Sequence, residues 1–445
     1  MSRISQEKVI KNKNTHADLL NEYEKVIKRL QKKYKISSGD KFRDLVNFKT
    51  NKIAPRHGWY EYKQGYAEEL VKTIIKIENP SKDQYILDPF TGVGTTNLVA
   101  QSLGYKSIGF DINPVAFLAS KVKTTHFSKN DVSAIRNILI KFNPKIKSEI
   151  IPEPRVITSS FTEKALSDLY KIKYFCEQLD KNENDKISNF FRLAFISIIE
   201  DCSIKTKDGN GIKLNLNKKT IENPFSYFKD KCKLMLKDIE SSNSNNEVIL
   251  VKGSMLIDDY FDKIKNLKVG ISIFSPPYAN CFDYCEVYKL EFWMGDFVKD
   301  YGGFKFYRDM AMRSHVNSSF NHNIKYHNKD IDVIANTIAT YNIWNKNIPD
   351  MLRGYFDDTY ELLRRMKEVF TKGASCYIVV ANSGYKGILV PTDLLIADIA
   401  KNLGYEVEKI MFARKIRSSS QQTDELHGKY DDLMRESIIV IRKTR

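Results

Sequence analysis

The chain predicts an α/β fold: a mostly parallel sheet flanked by helices, closed by an antiparallel strand and interrupted by a helical insertion. Three observations carry this prediction. Short apolar runs alternate with helix-patterned segments, the arrangement of parallel strands joined by crossover helices. Two of those runs, YILDPF (85–90) and VGISIFSPPY (269–278), end in Gly- or Pro-containing turns. The last two runs, YEVEKIMFA and ESIIVIRK, have no helix between them and so predict an antiparallel pair.

Taken in order, HADLLNEYEKVIKRLQKKY spaces Leu19, Leu20, Tyr23, Val26, Ile27 and Leu30 as one face of an amphipathic helix. Residues 66–77 predict a second helix. YILDPF, the turn TGVGTT and NLVAQSL then read as strand, loop and helix. KSIGFDINP (106–114) is a second strand ending at an acidic residue, followed by a helix in VAFLASKV. Residues 124–246 break the alternation: a Pro-punctuated loop precedes helices at 163–179, 187–201 and near 225–240. EVILVKG (247–253) and VGISIFSPPY resume the strands, and FDYCEVYKLEFWMGDF predicts one helix. Residues 300–345 are polar and poorly periodic. DDTYELLRRMKEVF predicts a helix, ASCYIVVANS a buried strand, and PTDLLIADIAKNLG a helix with Gly at its end. The organisation expected is an N-terminal helical extension (1–54), a first core half (55–123), an insertion (124–246), further core (247–299), a polar insertion (300–350) and the remaining core (351–445).

Composition narrows the class. The 445 residues are 42% hydrophobic and 28% charged, enough for a sizeable core and too apolar for wholesale disorder. A net charge of +16 suits a polyanionic partner, nucleic acid before membrane. Six cysteines without a CxxC pair argue against a disulfide framework or a structural zinc site. The start MSRISQEKVIKNKN lacks the apolar stretch of a signal peptide, and no run is long enough for a membrane span. A cytoplasmic protein is expected.

Three segments carry chemistry. In Asp88-Pro89-Phe90-Thr91-Gly92-Val93-Gly94-Thr95, glycines after a strand let backbone approach a ligand. The segment lacks both GxGxxG and a P-loop Gly-Lys pair, and its carboxylate suits a ligand amine better than a phosphate. Asp111 follows at the next strand end, where an acidic side chain binds the ribose of an adenosine cofactor or caps the helix after Ile112-Asn113-Pro114. In Ser275-Pro276-Pro277-Tyr278, two prolines stiffen a turn. That turn offers a hydroxyl, a carbonyl and an aromatic face at the strand end, where open α/β sheets bind ligands.

DPFTGVGTT, GFDINP and IFSPPY together resemble the S-adenosylmethionine-dependent DNA amino-methyltransferases of restriction–modification systems. The resemblance implies a Rossmann-like methyltransferase fold over residues ~55–120, 247–295 and 355–445. It implies that the loop of Asp88, Pro89, Phe90, Thr91, Gly92, Gly94 and Thr95 cradles the cofactor's methionine part. Asp111, with Ile112 and Asn113, would hold the ribose. Tyr66 in PRHGWYEYKQGYAEELV would close over the methionine, and Ser254 in KGSM would lie near the adenine. Ser275, Pro276, Pro277 and Tyr278 would take the target base. Ser at the first position leans to cytosine N4 over adenine N6, although Phe274 stands where Thr usually precedes the tetrapeptide. S-adenosyl-L-methionine is the implied cofactor. Double-stranded DNA is the implied partner, with a cognate restriction endonuclease as a further one.

DNA contact is expected in the two insertions and between the closing strands. Arg308 and Arg313 lie among aromatics in the polar insertion. Arg414, Arg417, Gln421 and Gln422 lie between the last two strands. His315, His322 and His327 lack metal-ligand spacing, so no metal is expected. The competing readings are N6-adenine methylation, an RNA or protein amino-methyltransferase on the same fold, and a non-catalytic subunit. Cytosine C5 chemistry would need an activated cysteine, and no Pro-Cys pair occurs.

Overall fold

The computed structural model describes residues 15–62, 65–143, 154–209, 211–242, 244–318, 324–416, 430 and 432–444. Twelve strands occur among them: β1 (Ile36–Ser38), β2 (Tyr85–Asp88), β3 (Lys106–Asp111), β4 (Lys205–Asp208), β5 (Gly211–Leu214), β6 (Val248–Lys252), β7 (Val269–Phe274), β8 (Phe370–Ala381), β9 (Ser383–Tyr385), β10 (Ile388–Val390), β11 (Glu406–Lys415) and β12 (Arg435–Arg442). Eight form one sheet in the order β1-β11-β12-β8-β7-β2-β3-β6. Every neighbouring pair is parallel except those of β12, which runs antiparallel to both β8 and β11. The predicted antiparallel closing pair is therefore present, with β12 set between two parallel strands.

Alternation along each strand divides the interior between the sheet's two faces. Leu87 packs with one core and Ile86 with the other; Ile439 and Ile438 divide in the same way. The first core is roofed by helices His16–Lys33, Ile348–Val369 and Thr392–Asn402, the second by Glu68–Glu78 and Thr95–Ser102. Strands covered on both faces are mostly apolar and buried along nearly their whole length, as YILD and VGISIF are.

A third core belongs mainly to the segment between β3 and β6. Helices Lys129–Lys141, Glu163–Asn182, Asp185–Cys202 and Pro224–Ser241 pack there around Phe190, Phe191, Ile199 and Phe228. Lys207 is buried in that region between the carboxylates of Glu200 and Glu291. Without both partners its charge would not survive burial.

The structure corrects three elements of the sequence reading. Residues 205–208 and 211–214, within the insertion read only as loop and helices, form the hairpin β4–β5. FDYCEVYKLEFWMGDF forms two short helices, Tyr284–Val287 and Lys289–Met294, broken where Tyr288 leaves helical geometry. The polar insertion holds helices Tyr301–Met310 and Lys329–Ala339. In the latter, the Asn328 side chain caps the Asp330 and Ile331 amides. Ile331, Ile334 and Ile338 form its buried face.

Sheet order sets where a ligand can bind. From β2 the chain crosses outward to β3 and β6, then returns to β7 on the other side of β2. Crossovers on opposite sides leave a crevice beyond the carboxyl ends of β2 and β7. The two segments that open this crevice are residues 89–94 and 275–278.

Candidate active site

A cleft of about 1040 Å³, partly open to solvent, occupies that crevice. Pro89, Phe90, Thr91, Gly92, Thr95, Asp111, Ile112, Asn113 and Ser254 line it, with Tyr66, Ser275 and Pro277. The loop after β2 bends through Gly92 (φ +52°) and Gly94 (φ +84°) before entering helix Thr95–Ser102. A Cβ on Gly94 would lie 2.6 Å from Ser120 Oγ, so glycine is required by conformation and by space. Asp111 ties the loop down: one carboxylate oxygen accepts from the Gly92 amide at 2.7 Å, the other from the Asn113 amide at 2.8 Å. Burial nevertheless pushes its carboxyl up to about 7.

Asp88 and Gly94 do not line the cleft. The Asp88 carboxylate points inward, accepting from the Phe90 amide at 3.0 Å and the Tyr66 hydroxyl at 2.9 Å. Burial raises it to about 6. It anchors the loop and does not face a ligand amine. Tyr66 keeps its hydroxyl on Asp88, Thr96 and the Ile273 carbonyl, and the residue also lines the cleft.

The residues present fit an adenosine-bearing sulfonium. Asn113 Nδ2 is buried at the cleft wall without a protein partner. Asp111 retains lone pairs for hydroxyl donors. A Cβ on Gly92 would lie 3.2 Å from the Tyr62 ring, closer than an ordinary contact.

A second cavity of about 710 Å³ adjoins the first. Gly65, Tyr66, Ser275 and Tyr284 border both. Pro276, Tyr278, Asn280, Arg414 and Glu436 belong to the second alone. Ser275 Oγ donates weakly to the Tyr278 hydroxyl at 3.4 Å, and that hydroxyl donates to Glu436 Oε1 at 2.5 Å. Glu436 Oε2 accepts from Arg414 Nε. Burial and the Glu436 charge hold the Tyr278 hydroxyl well above its usual range, so it remains a donor. Residues from β11 and β12 thus meet the turn that follows β7.

The arginines expected at DNA have different surroundings. Arg313 is 7% exposed, with its guanidinium on Asp357 and Asp358, a strut inside the protein and not a surface contact. Arg308 lines the first cleft and bridges Asp283 at 2.8 Å and Glu286 at 2.7 Å. Arg414 faces the second cavity. Arg417, Gln421, Gln422 and His322 lie outside the described residues. His315 is buried at the cleft wall. Among the described residues no cluster of His, Cys, Asp or Glu is suited to a metal ion.

Sequence reasoning missed Glu436, Tyr62 and Tyr284. Glu436 left a faint signal, a carboxylate at the head of an apolar strand. The two tyrosines left none; their rings stack at 6.4 Å across more than 200 positions of chain.

The crevice, with the glycine loop on one side and the Ser-Pro-Pro-Tyr turn on the other, has the arrangement expected of a methyltransferase. The family model for DNA methylases (N6/N4 type) matches residues 4–121. The type II methyltransferase M.BsoBI of Geobacillus stearothermophilus is 28% identical, over 90% of this chain and 88% of its own length. M.AvaI of Nostoc sp. is 24% identical over 90% and 89%. M.MvaI of Kocuria varians, also a type II methyltransferase, is 23% identical over 94% and 96%. These findings support a DNA amino-methyltransferase of the restriction–modification type.

Proposed function

We propose that this enzyme transfers a methyl group from S-adenosylmethionine to the exocyclic N4 amine of cytosine in duplex DNA. The observation that carries the reading is the position of Ser275, on the wall shared by the two cavities. The first cavity would hold the cofactor, on Asp111, Asn113, Ser254 and the Phe90–Thr95 loop. Bound there, it supplies an electrophilic methyl on sulfur. The second cavity would receive a base turned out of the duplex, since an amine inside a stacked pair is out of reach.

Within that arrangement the chain orients and does not attack. Ser275 Oγ and the Pro276 carbonyl accept hydrogen bonds from the two amine hydrogens. The nitrogen lone pair is thereby turned toward the first cavity; on transfer the sulfur–methyl bond would break as the nitrogen–methyl bond forms, and one amine proton would be lost to solvent. Tyr278 packs its ring on the base. Positioning of this kind accounts for a large part of a transfer barrier. No covalent nucleophile is needed: Cys281 and Cys285, near the turn, are thiols that burial pushes up to about 11 and about 12.

Ser at the head of the tetrapeptide supports cytosine N4 over adenine N6. The relatives named as type II methyltransferases support a cognate restriction endonuclease as partner and the cytoplasm as the place of action. The test is transfer from labelled cofactor to mixed-sequence duplex DNA, with nucleosides identified by mass. N4-methylcytosine is expected. N6-methyladenine alone would overturn the base assignment, and transfer to RNA alone would overturn the substrate class.

A further inference from the structure

The second cavity contains a fixed cation that the methyl transfer itself does not require. Arg414 and Glu436 are cross-strand neighbours in the register of β11 and β12. Because β12 alone runs against the sheet, its first residues lie at the same edge as the carboxyl ends of the parallel strands. Glu436 is 3% exposed, and each of its oxygens is engaged, one by Tyr278 and one by Arg414 Nε. A continuous line of polar contacts therefore runs from Ser275 through Tyr278 and Glu436 to Arg414. A guanidinium carries five N–H donors in a rigid plane, and Nε uses one of them.

What such a plane selects follows from base chemistry. A cytosine whose N4 amine meets Ser275 presents N3 and then O2 along the same edge, two adjacent acceptors. An adenine whose N6 amine meets Ser275 presents N1 and then a C–H. A guanidinium spanning two positions is satisfied by the first and left half-paired by the second, and a donor left unpaired where a bound base displaces its water discriminates between the two. We propose that Arg414 is a specificity-determining residue that reads the N3/O2 edge of the turned-out cytosine. Glu436 is its positioning residue, holding the guanidinium and the Tyr278 ring in one frame. This inference rests on the base reading proposed above and extends it to the residues that enforce it.

The test compares wild type, R414A, R414K and E436Q on mixed-sequence duplex DNA, quantifying N4-methylcytosine and N6-methyladenine by mass. Cofactor affinity and melting temperature are measured alongside. R414A should lower kcat/KM for cytosine by about 10- to 100-fold, as expected for loss of a bidentate base contact. The adenine-to-cytosine product ratio should rise at least about tenfold by the same contact. Cofactor affinity should stay unchanged. R414K keeps a charge beside Glu436 but cannot span two acceptors, so it should also shift the ratio. E436Q should lower kcat more than it raises KM. Parallel loss of both products at constant ratio, or an unaltered R414A, would overturn the inference while leaving the N4 reading standing. A wild type that makes only N6-methyladenine would overturn both.

Discussion

Both oxygens of Asp111 already accept a backbone amide, yet burial leaves the carboxyl near 7. Between its ordinary value of 3.8 and about 7, the folded, unliganded chain keeps this proton and the unfolded chain has lost it. The group's contribution to fold stability therefore shrinks as pH rises through that window. Cofactor binding at the proposed site would run the other way, because a hydroxyl donates more strongly to a carboxylate than to the neutral acid. Cofactor affinity should fall as pH drops below about 7, by up to about tenfold per unit. Asp111→Asn should bind weakly with a flat profile. Calorimetric titration between pH 5 and 8 checks this; a wild-type profile without slope would remove Asp111 from the cofactor site.

At the scale of elements, the N-terminal helix His16–Lys33 is part of the catalytic unit's core. Its Tyr23 hydroxyl donates to the Leu389 carbonyl at 3.2 Å and accepts from the Leu389 amide at 2.9 Å. Its apolar face shares a core with Ile331, Ile334 and Ile338 of helix Lys329–Ala339. Ile338 is fully buried there. Ile338→Ala should cost about 2–5 kcal/mol, as loss of a buried aliphatic chain does. Urea denaturation measures it, and a loss under about 0.5 kcal/mol would show that this helix does not support the core. Such helices were partly legible. Lys329–Ala339 carries its apolar residues at helical spacing, but the polar residues around it masked the pattern. The break at Tyr288 was not legible, since nothing in EVYKLEF forbids a continuous helix.

At the scale of the molecule, a sheet assembled from distant segments makes the site. Ser275 and Glu436 meet through Tyr278, 158 positions from Glu436. DPFTGVG and SPPY could be read directly because their chemistry needs fixed local spacing: glycines for close approach, prolines for a stiff turn. Glu436, Tyr62 and Tyr284 could not, because register between distant strands and helices brings them in. Arg313 misled for the same reason, its partners Asp357 and Asp358 lying on a helix far along the chain. The net charge of +16 belongs to this scale as well. DNA affinity should fall steeply with salt, log K declining linearly with log [salt], and a flat dependence would exclude phosphate contacts as the main source of binding.

In the proposed mechanism Ser275 stands between cofactor and base and orients the amine without holding the cofactor. Single-turnover methyl transfer by Ser275→Ala, with cofactor affinity measured on the same preparation, tests it most directly. The rate should fall about 100-fold or more, the scale of lost reactant positioning, with cofactor affinity essentially unchanged. Wild-type turnover, or a loss accounted for entirely by weaker cofactor binding, would contradict it.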